Sequence, residues 1–594
     1  MSNNEAIKGG EFLIKETAAK NIFIPEDFDE EQRMIADTCS DFIKQEIEPI
    51  LDRIEKQEEG LSASLMEKAG ELGLLGISVP ENLGGFGKDF VTSMLTSEII
   101  GGAHSFAVSI SAHTGIGTLP ILYYGNEEQK QKYIPNLATG VWKAAYCLTE
   151  PSSGSDANSA KSKATLSEDG KHYILNGQKM WITNAGFADI FTDFAKIDDD
   201  KDMTAFIIEK DFGGVTLNPE EQKLGIKGSS TRQVFFNDTK VPVENLLGER
   251  QGGFKIALNI LNIGRIKLAG SAIGGSKKII SQSVNYANER EQFGRPISKY
   301  GAIKFKLAEQ CIKIFASESA VYRCSQNIDD ATKEFIEGGM SKEEATLEGI
   351  RQFAAEAAIL KVHASEALDY VVDEGLQIYG GMGYSAEAPM ESAYCDARIN
   401  RIFEGTNEIN RMLLVDMLLK RAMKGELDLM GPAQAVAKEL MSIPDFGEGS
   451  DDVFEKAHNQ VKNFKKAALM VAGSAAQTLM MELAKEQEVL MNISDMIIEL
   501  YIAESVLLRV EKLTKEKENV KNLEQIDMMN VYLYDTADKI NKFGKDALNS
   551  FAEGDELRMM LMGLKRFTKQ EPFNVKEARR RIANRLITEN KYCY

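Results

Sequence analysis

Apolar positions recur at helical spacing over residues 31–55, where Met34, Ile35, Phe42, Ile43, Ile47 and Leu51 share one face. A second such segment covers 62–74 and gives way to the turn-rich PENLGGFG at 80–87. Residues 126–134 predict a short polar helix ended by Pro135. The first domain, 28–145 after an N-terminal extension at 1–27, therefore reads as helical. From 146 to 252 the pattern changes. Tyr173-Ile174-Leu175 and Met180-Trp181-Ile182-Thr183 flank Asn176-Gly177, a strong hairpin signal, and 204–209 and 233–236 predict further strands. This is a small β domain, barrel-like. Helical periodicity returns over 253–430, with long amphipathic segments at 254–270, 275–290, 302–329, 342–375 and 409–424, as in a helical bundle. Residues 431–455, with Gly431-Pro432 and the IPDFGEGSDD run, predict an exposed linker, and 456–594 a helical extension domain. The fold class is mainly α with a central β domain.

Composition narrows the functions. The chain has 594 residues, 43% hydrophobic and 27% charged, as in ordinary soluble proteins. A net charge of −20 argues against nucleic acid and anionic membrane surfaces as primary partners. The six cysteines are scattered, so neither a disulfide framework nor a metal site is readable. The first twenty residues lack a secretory core, hold acidic residues and contain no arginine, which leads us to expect a cytoplasmic location. No run of ~20 apolar residues is apparent, so no membrane span is expected. Residues 489–512 are strongly amphipathic with an acidic polar face. That favours burial against the bundle over peripheral membrane contact.

Five segments could carry chemistry. In Phe403-Glu404-Gly405 a carboxylate sits between an aromatic and a glycine, and Thr406 can cap the helix that follows. Desolvation there would raise the pKa of Glu404 and suit it to act as a general base. Equally, a glutamate beside a helix start is favoured by the helix dipole alone. The hydroxyl-rich CLTEPSSGSD loop (147–156) can bind a polar ring or a phosphate, or be a surface turn. Trp181 and Thr183 can cover and hydrogen-bond an aromatic ring system, or belong to the core. Arg290 and Arg295 offer guanidinium groups for phosphate, or simply end a helix. The glycines of QIYGGMGY (377–384) allow a pyrophosphate to approach, or stop a helix.

In this order the segments resemble the acyl-CoA dehydrogenase family. CLTEPSSGSD, NGQKMWITNAG, KLGIKGSST, REQFGRPI, QIYGGMGY and IFEGTNEI span 28–425 in family order. The extension beyond 430 makes the chain most similar to the very-long-chain branch. The resemblance implies an N-terminal helical domain, a β-barrel domain and a C-terminal four-helix bundle, plus an extra helical domain. It implies FAD as cofactor and α,β-dehydrogenation of acyl-CoA, with long chains expected.

By the same resemblance Glu404 is the base. Thr149, Trp181, Thr183, Thr406 and Glu408 contact the flavin. Arg290, Gln292 and Phe293 reach the FAD of a neighbouring subunit, and Gln377, Gly380 and Gly381 its adenosine-diphosphate half. Ser155 and Arg265 face the substrate. Some relatives place the base directly before the matching arginine; that position is Gly264 here, which cannot serve. Asn262 stands where shorter-chain relatives have an aspartate. The implied partners are an electron-transfer flavoprotein and a second copy of the chain, as a homodimer. An acyl-CoA oxidase and an assembly protein of respiratory complexes are the competing readings.

Overall fold

The computed structural model describes residues 7–440, 451–516 and 523–594. The N-terminal helical domain includes helices Glu30–Phe42, Leu61–Glu71, Phe90–Ile100, Ser105–Ala112 and Glu127–Ala138. Three of their starts are capped by side chains: Asp29, Asp89 and Asn126 each accept the backbone N–H of the third residue of their helices. Pro135 does not end its helix as predicted but sits inside it, and the chain continues to Ala138.

The β domain is one eight-stranded sheet. Its path runs β6 (Val215–Leu217), β7 (Thr231–Pro242), β3 (His172–Thr183), β2 (Lys163–Leu166), β4 (Ile190–Ile197), β5 (Thr204–Glu209) and β8 (Leu246–Leu247), with β1 (Ala144–Cys147) parallel to β4. β5 and β7 touch although they are far apart on this path, so the sheet rolls around a core that includes Leu175, Phe191, Phe206 and Phe236. The predicted hairpin at Asn176-Gly177 is absent. Both halves belong to the single strand β3, and the dipeptide forms a bulge between Leu175 and Gly177. Asn176 exchanges hydrogen bonds with Asp238 across the bulge, and a Cβ on Gly177 would stand 2.2 Å from the Ser162 hydroxyl.

Four long helices form the bundle: Gly253–Glu289, Gly301–Glu337, Ala354–Tyr379 and Asn407–Met423. The predicted break near 270–275 does not exist. Gly270 and Gly274 lie inside one 37-residue helix, where a Cβ on Gly274 would meet the Glu98 carbonyl at 1.7 Å. These glycines admit a neighbouring helix rather than end their own. Conversely, 342–375 divides into Lys342–Gln352 and Ala354–Tyr379 at Phe353, whose backbone leaves the helical region.

The stretch read as a linker begins with the helix Met430–Leu440; its middle, 441–450, lies outside the described residues. Beyond it, helices Val453–Leu479, Gln487–Glu516, Leu523–Phe551, Gly554–Phe567 and Val575–Glu589 share a continuous core with the bundle. The amphipathic stripe at 489–512 is buried in that core. The N-terminal extension packs there too: Phe12 meets the ring of Tyr501 at 4.8 Å, and Ile22 and Ile24 pack against Leu508 and Leu513. Three helical stretches, Ser105–Tyr124, Gly253–Glu289 and Val453–Lys485, are long and apolar enough to cross a membrane by length and composition, contrary to expectation. In the first two most of the apolar window is buried inside the protein.

Candidate active site

Glu404 stands in the tight loop that feeds the helix Asn407–Met423. Both Glu404 (φ 57°) and Gly405 (φ 80°) are left-handed. A non-glycine residue there costs on the order of 1–2 kcal/mol, so the surroundings must hold it. Asn410 Nδ2 donates to the carbonyls of Gly405 (2.8 Å) and Thr406 (3.0 Å). Lys361 Nζ donates to the Gly405 carbonyl (2.7 Å) and to Asn407 Oδ1 (2.6 Å). Arg265 Nε donates to the Glu404 carbonyl (3.2 Å) and its Nη1 to Asn262 Oδ1 (2.8 Å). Thr406 caps the helix by accepting the Ile409 N–H at 3.3 Å.

The loop is also braced from the extension. Asn407 Nδ2 donates to Glu366 (3.0 Å), which receives Arg411 through both carboxylate oxygens, and Arg411 pairs in turn with Asp495 at 2.7 Å.

These bonds hold the backbone and leave the carboxylate free. Glu404 Oε2 has no hydrogen-bond partner, and no acceptor among the described residues takes the Glu404 N–H. Burial pushes the carboxyl up, against the pull of Arg265 and Lys361, to about 7.

The carboxylate borders a cavity of about 200 Å³. One wall is a stripe of the helix Gly253–Glu289: Gly264, Leu268, Ser271, Ala272, Gly275 and Ile279. These positions recur every three or four residues and so fall on one face. Thr183 and Phe403 line the same space. Gly264 matters most. A Cβ there would lie 2.7 Å from Glu404 Oε2 and 2.9 Å from its Cδ, so the carboxylate rests directly on the glycine.

The other predicted residues fall into two groups. Thr149 and Trp181 sit with Thr183 on the β domain: the Thr149 carbonyl accepts the Met180 N–H at 2.9 Å, and Trp181, at a second irregularity of β3 with φ 61°, is 52% exposed. Ser155 and Glu408 are exposed. Arg290, Gln292 and Phe293 form an exposed arm, with Phe293 94% exposed at its tip. Gln377, Gly380 and Gly381 are exposed at the end of the neighbouring helix, whose Tyr379 stacks on Tyr286 at 3.9 Å. Arg265, predicted to face substrate, is instead buried behind the base loop, with its guanidinium bonded to Glu404 and Asn262.

Sequence reasoning missed Lys361, Asn407 and Asn410. It also missed the buried trio Glu150, Lys179 and Asp193, in which Lys179 pairs with Glu150 at 2.8 Å while Glu150 accepts the Lys161 and Ser162 N–H groups, fastening the hydroxyl loop. A lysine at an inward position of β3 was the available signal.

Family models for acyl-CoA dehydrogenase match nearly the whole chain: the N-terminal domain at 29–141, the middle domain at 145–239 and the C-terminal domain at 251–419, with a second C-terminal domain model at 463–566. A probable acyl-CoA dehydrogenase of Bacillus subtilis is 46% identical over 585 residues, covering 98% of each chain. The chain belongs to the acyl-CoA dehydrogenase family. The very long-chain specific acyl-CoA dehydrogenase of Rattus norvegicus is 43% identical over 402 residues, which is 66% of this chain and 57% of that one. The crystal structure of an acyl-CoA dehydrogenase complexed with FAD from Bacillus anthracis superposes with a TM-score of 0.96 at 46% identity, covering 99% of this chain and all of that one.

The enzyme is thus a flavoprotein whose cofactor is FAD. Its residues fit that group. The indole of Trp181 is left half open beside Thr183, where a flavin ring would cover it. Gly380 and Gly381 present bare backbone, with nothing within 4 Å of where a Cβ would stand.

Gly264→Ala tests the seat of the base. Alanine is a better helix former than glycine by about 1 kcal/mol, so folding and FAD content are expected to be unaffected. The new methyl would displace the carboxylate, and flavin reduction by acyl-CoA should slow by roughly 10- to 100-fold. An unchanged rate in rapid-mixing experiments would show that the base does not rest on Gly264.

Proposed function

We propose that this enzyme dehydrogenates long-chain acyl-CoA to trans-2-enoyl-CoA in fatty-acid β-oxidation, with Glu404 as the base. The observation that carries this reading is the unpartnered, desolvated Glu404 carboxylate beside the mouth of an acyl-sized cavity. Glu404 takes the proton from the α-carbon. Its unclaimed backbone N–H is available to the thioester oxygen, stabilising the charge that develops there as an oxyanion hole does. FAD would be held around its ring by Thr149, Trp181, Thr183, Thr406 and Glu408 of one subunit and along its far half by the Gln377, Gly380 and Gly381 segment of the second, and would supply the acceptor for the β-hydrogen. Ser155, exposed on the hydroxyl loop, is assigned to the CoA moiety.

The cavity wall bounds the chain length. The stripe from Gly264 to Ile279 rises about 1.5 Å per residue, and an extended hydrocarbon advances slightly less per carbon. A chain with about as many carbons as the stripe has residues can therefore lie along it. The exposed arm ending in Phe293 suits contact with a second subunit, which supports a homodimer sharing its FAD sites. An electron-transfer flavoprotein is the proposed acceptor.

Anaerobic titration of the holoenzyme with thioesters from butyryl- to stearoyl-CoA tests the proposal. Bleaching that is fastest near palmitoyl-CoA is expected. A preference for butyryl-CoA would overturn the chain-length reading, and rapid reoxidation by oxygen alone would favour an oxidase.

The pH dependence follows from the base. Only the carboxylate form of Glu404 accepts a proton, and its pKa is raised to about 7. The rate of flavin reduction should level off above that pH and fall about tenfold per unit below it. A flat profile from pH 5.5 to 8 would rule out a raised Glu404 as the controlling group.

A further inference from the structure

The acyl cavity has a side chamber that the dehydrogenation does not use. Lys267, one helical turn beyond Gly264, lines both spaces, as does Ser111. The chamber holds about 30 Å³, bounded by the helix Phe90–Ile100, the segment around Ile110 and Thr114, and the strap at Leu74–Val79. That is room for one water-sized or carboxyl-sized group.

Its polar lining holds four groups with unused donors, whereas Thr96, Ser97 and Thr114 already donate to carbonyls one helical turn back. The ammonium of Lys267 has neither an ion pair nor a hydrogen bond among the described residues. The hydroxyls of Ser78, Ser93 and Ser111 likewise have no partner there. All four groups can donate, and an ammonium cannot accept. The second lysine of the cavity, Lys278, differs: it is already bonded to Glu48 (2.9 Å), the Gly102 carbonyl (3.0 Å) and His104 (3.0 Å). Burial alone pushes Lys267 down to about 8, with no nearby charge to oppose it. A cation drawn half out of water without a partner is uncommon and costly. What the chamber lacks is an acceptor of several hydrogen bonds that also brings negative charge. A carboxylate is that group, with two oxygens and about four lone-pair positions.

We propose that this chamber is a subsite for the far carboxylate of an ω-carboxyacyl-CoA, paired with Lys267 and hydrogen-bonded by Ser78, Ser93 and Ser111. The subsite makes Lys267 a specificity-determining residue: chains ending in a carboxylate turn aside into the chamber, whereas plain chains continue along the helix stripe. The inference rests on the acyl-CoA dehydrogenase reading of the main cavity. Lys267 lies close to Gly264 along the helix, so the matching dicarboxylic chain is shorter than the longest plain chain the main cavity takes.

The test compares two length series on the holoenzyme, plain acyl-CoA and ω-carboxyacyl-CoA, for the wild type, Lys267→Met and Ser111→Ala. Two quantities are read: kcat/KM, and equilibrium binding of unreactive thioether analogues. At one intermediate length the ratio of carboxylated to plain kcat/KM should peak. Lys267→Met should lower that ratio at least about tenfold, with a parallel loss in analogue binding, since a site built around polar partners discriminates strongly. Ser111→Ala should lower it less. A ratio that shows no peak in the wild type, or that Lys267→Met leaves unchanged, overturns the proposal and leaves the chamber to bound water. Failure of the underlying reading looks different: no thioester of either series would bleach the flavin.

Discussion

Glu404→Gln is expected to bind FAD normally and to lose flavin reduction by acyl-CoA. The substitution removes the proton acceptor and little else. The Glu404 side chain makes no ion pair, and its loop is held through backbone carbonyls by Arg265, Lys361 and Asn410. Glutamine is nearly isosteric and takes the same place against Gly264. A positioned general base contributes roughly 10²–10⁴ in rate, and no other carboxylate lines the cavity near Gly264 to replace it; Asp396, also on the cavity wall, accepts the Ile226 N–H. The measurement is anaerobic rapid mixing with palmitoyl-CoA, with the visible spectrum as control for bound flavin. Bleaching at the wild-type rate would mean that the base lies elsewhere. Loss of the flavin itself would mean that the variant had disturbed the fold around the cofactor.

The Glu404 loop was legible in the sequence because its surroundings are local. Phe403, Gly405 and the Thr406 cap all lie within a few residues of Glu404, and a strained loop before a capped helix leaves that imprint. The hydroxyl loop and the Trp181-Thr183 pair were legible for the same reason. What fixes the base in space was not, because Lys361, Glu366 and Asp495 come from other helices and look like ordinary surface charges in the chain.

Glycine and asparagine misled wherever tertiary contact overrode local preference. The glycines between 270 and 275 read as a helix break, but Gly274 admits the Glu98 carbonyl, and Asn176-Gly177 reads as a turn but closes a bulge against Ser162 and Asp238. The packing of the N-terminal extension on the helix Gln487–Glu516 is a contact across most of the chain, beyond the reach of periodicity.

That long-range packing rests on buried charge, and it carries the largest expected stability effect. Glu504, on the helix Gln487–Glu516, pairs with Arg323 of the bundle at 2.7 Å and with Lys465 of the preceding extension helix at 2.5 Å. All three are buried. Burial raises the Glu504 carboxyl, but Arg323 and Lys465 outweigh it and hold the group below the usual carboxylate range. Arg323 also reaches Thr17 of the N-terminal extension at 3.2 Å and Ser505 at 3.1 Å. Four parts of the chain thus meet at one carboxylate.

Glu504→Ala leaves two buried cations without their counter-charge, a loss of about 3–5 kcal/mol. The extension should then loosen before the rest of the protein. Hydrogen exchange is expected to rise over 453–516 while the β domain stays protected, and the first thermal transition should fall by several degrees. Replacing all three partners with apolar side chains (Glu504→Leu, Arg323→Met, Lys465→Met) removes the unpaired charge and should recover much of the loss. If Glu504→Ala melts like the wild type, the pairs do not hold the extension. If the triple variant is weaker than the single one, the network contributes more than an apolar core would in its place.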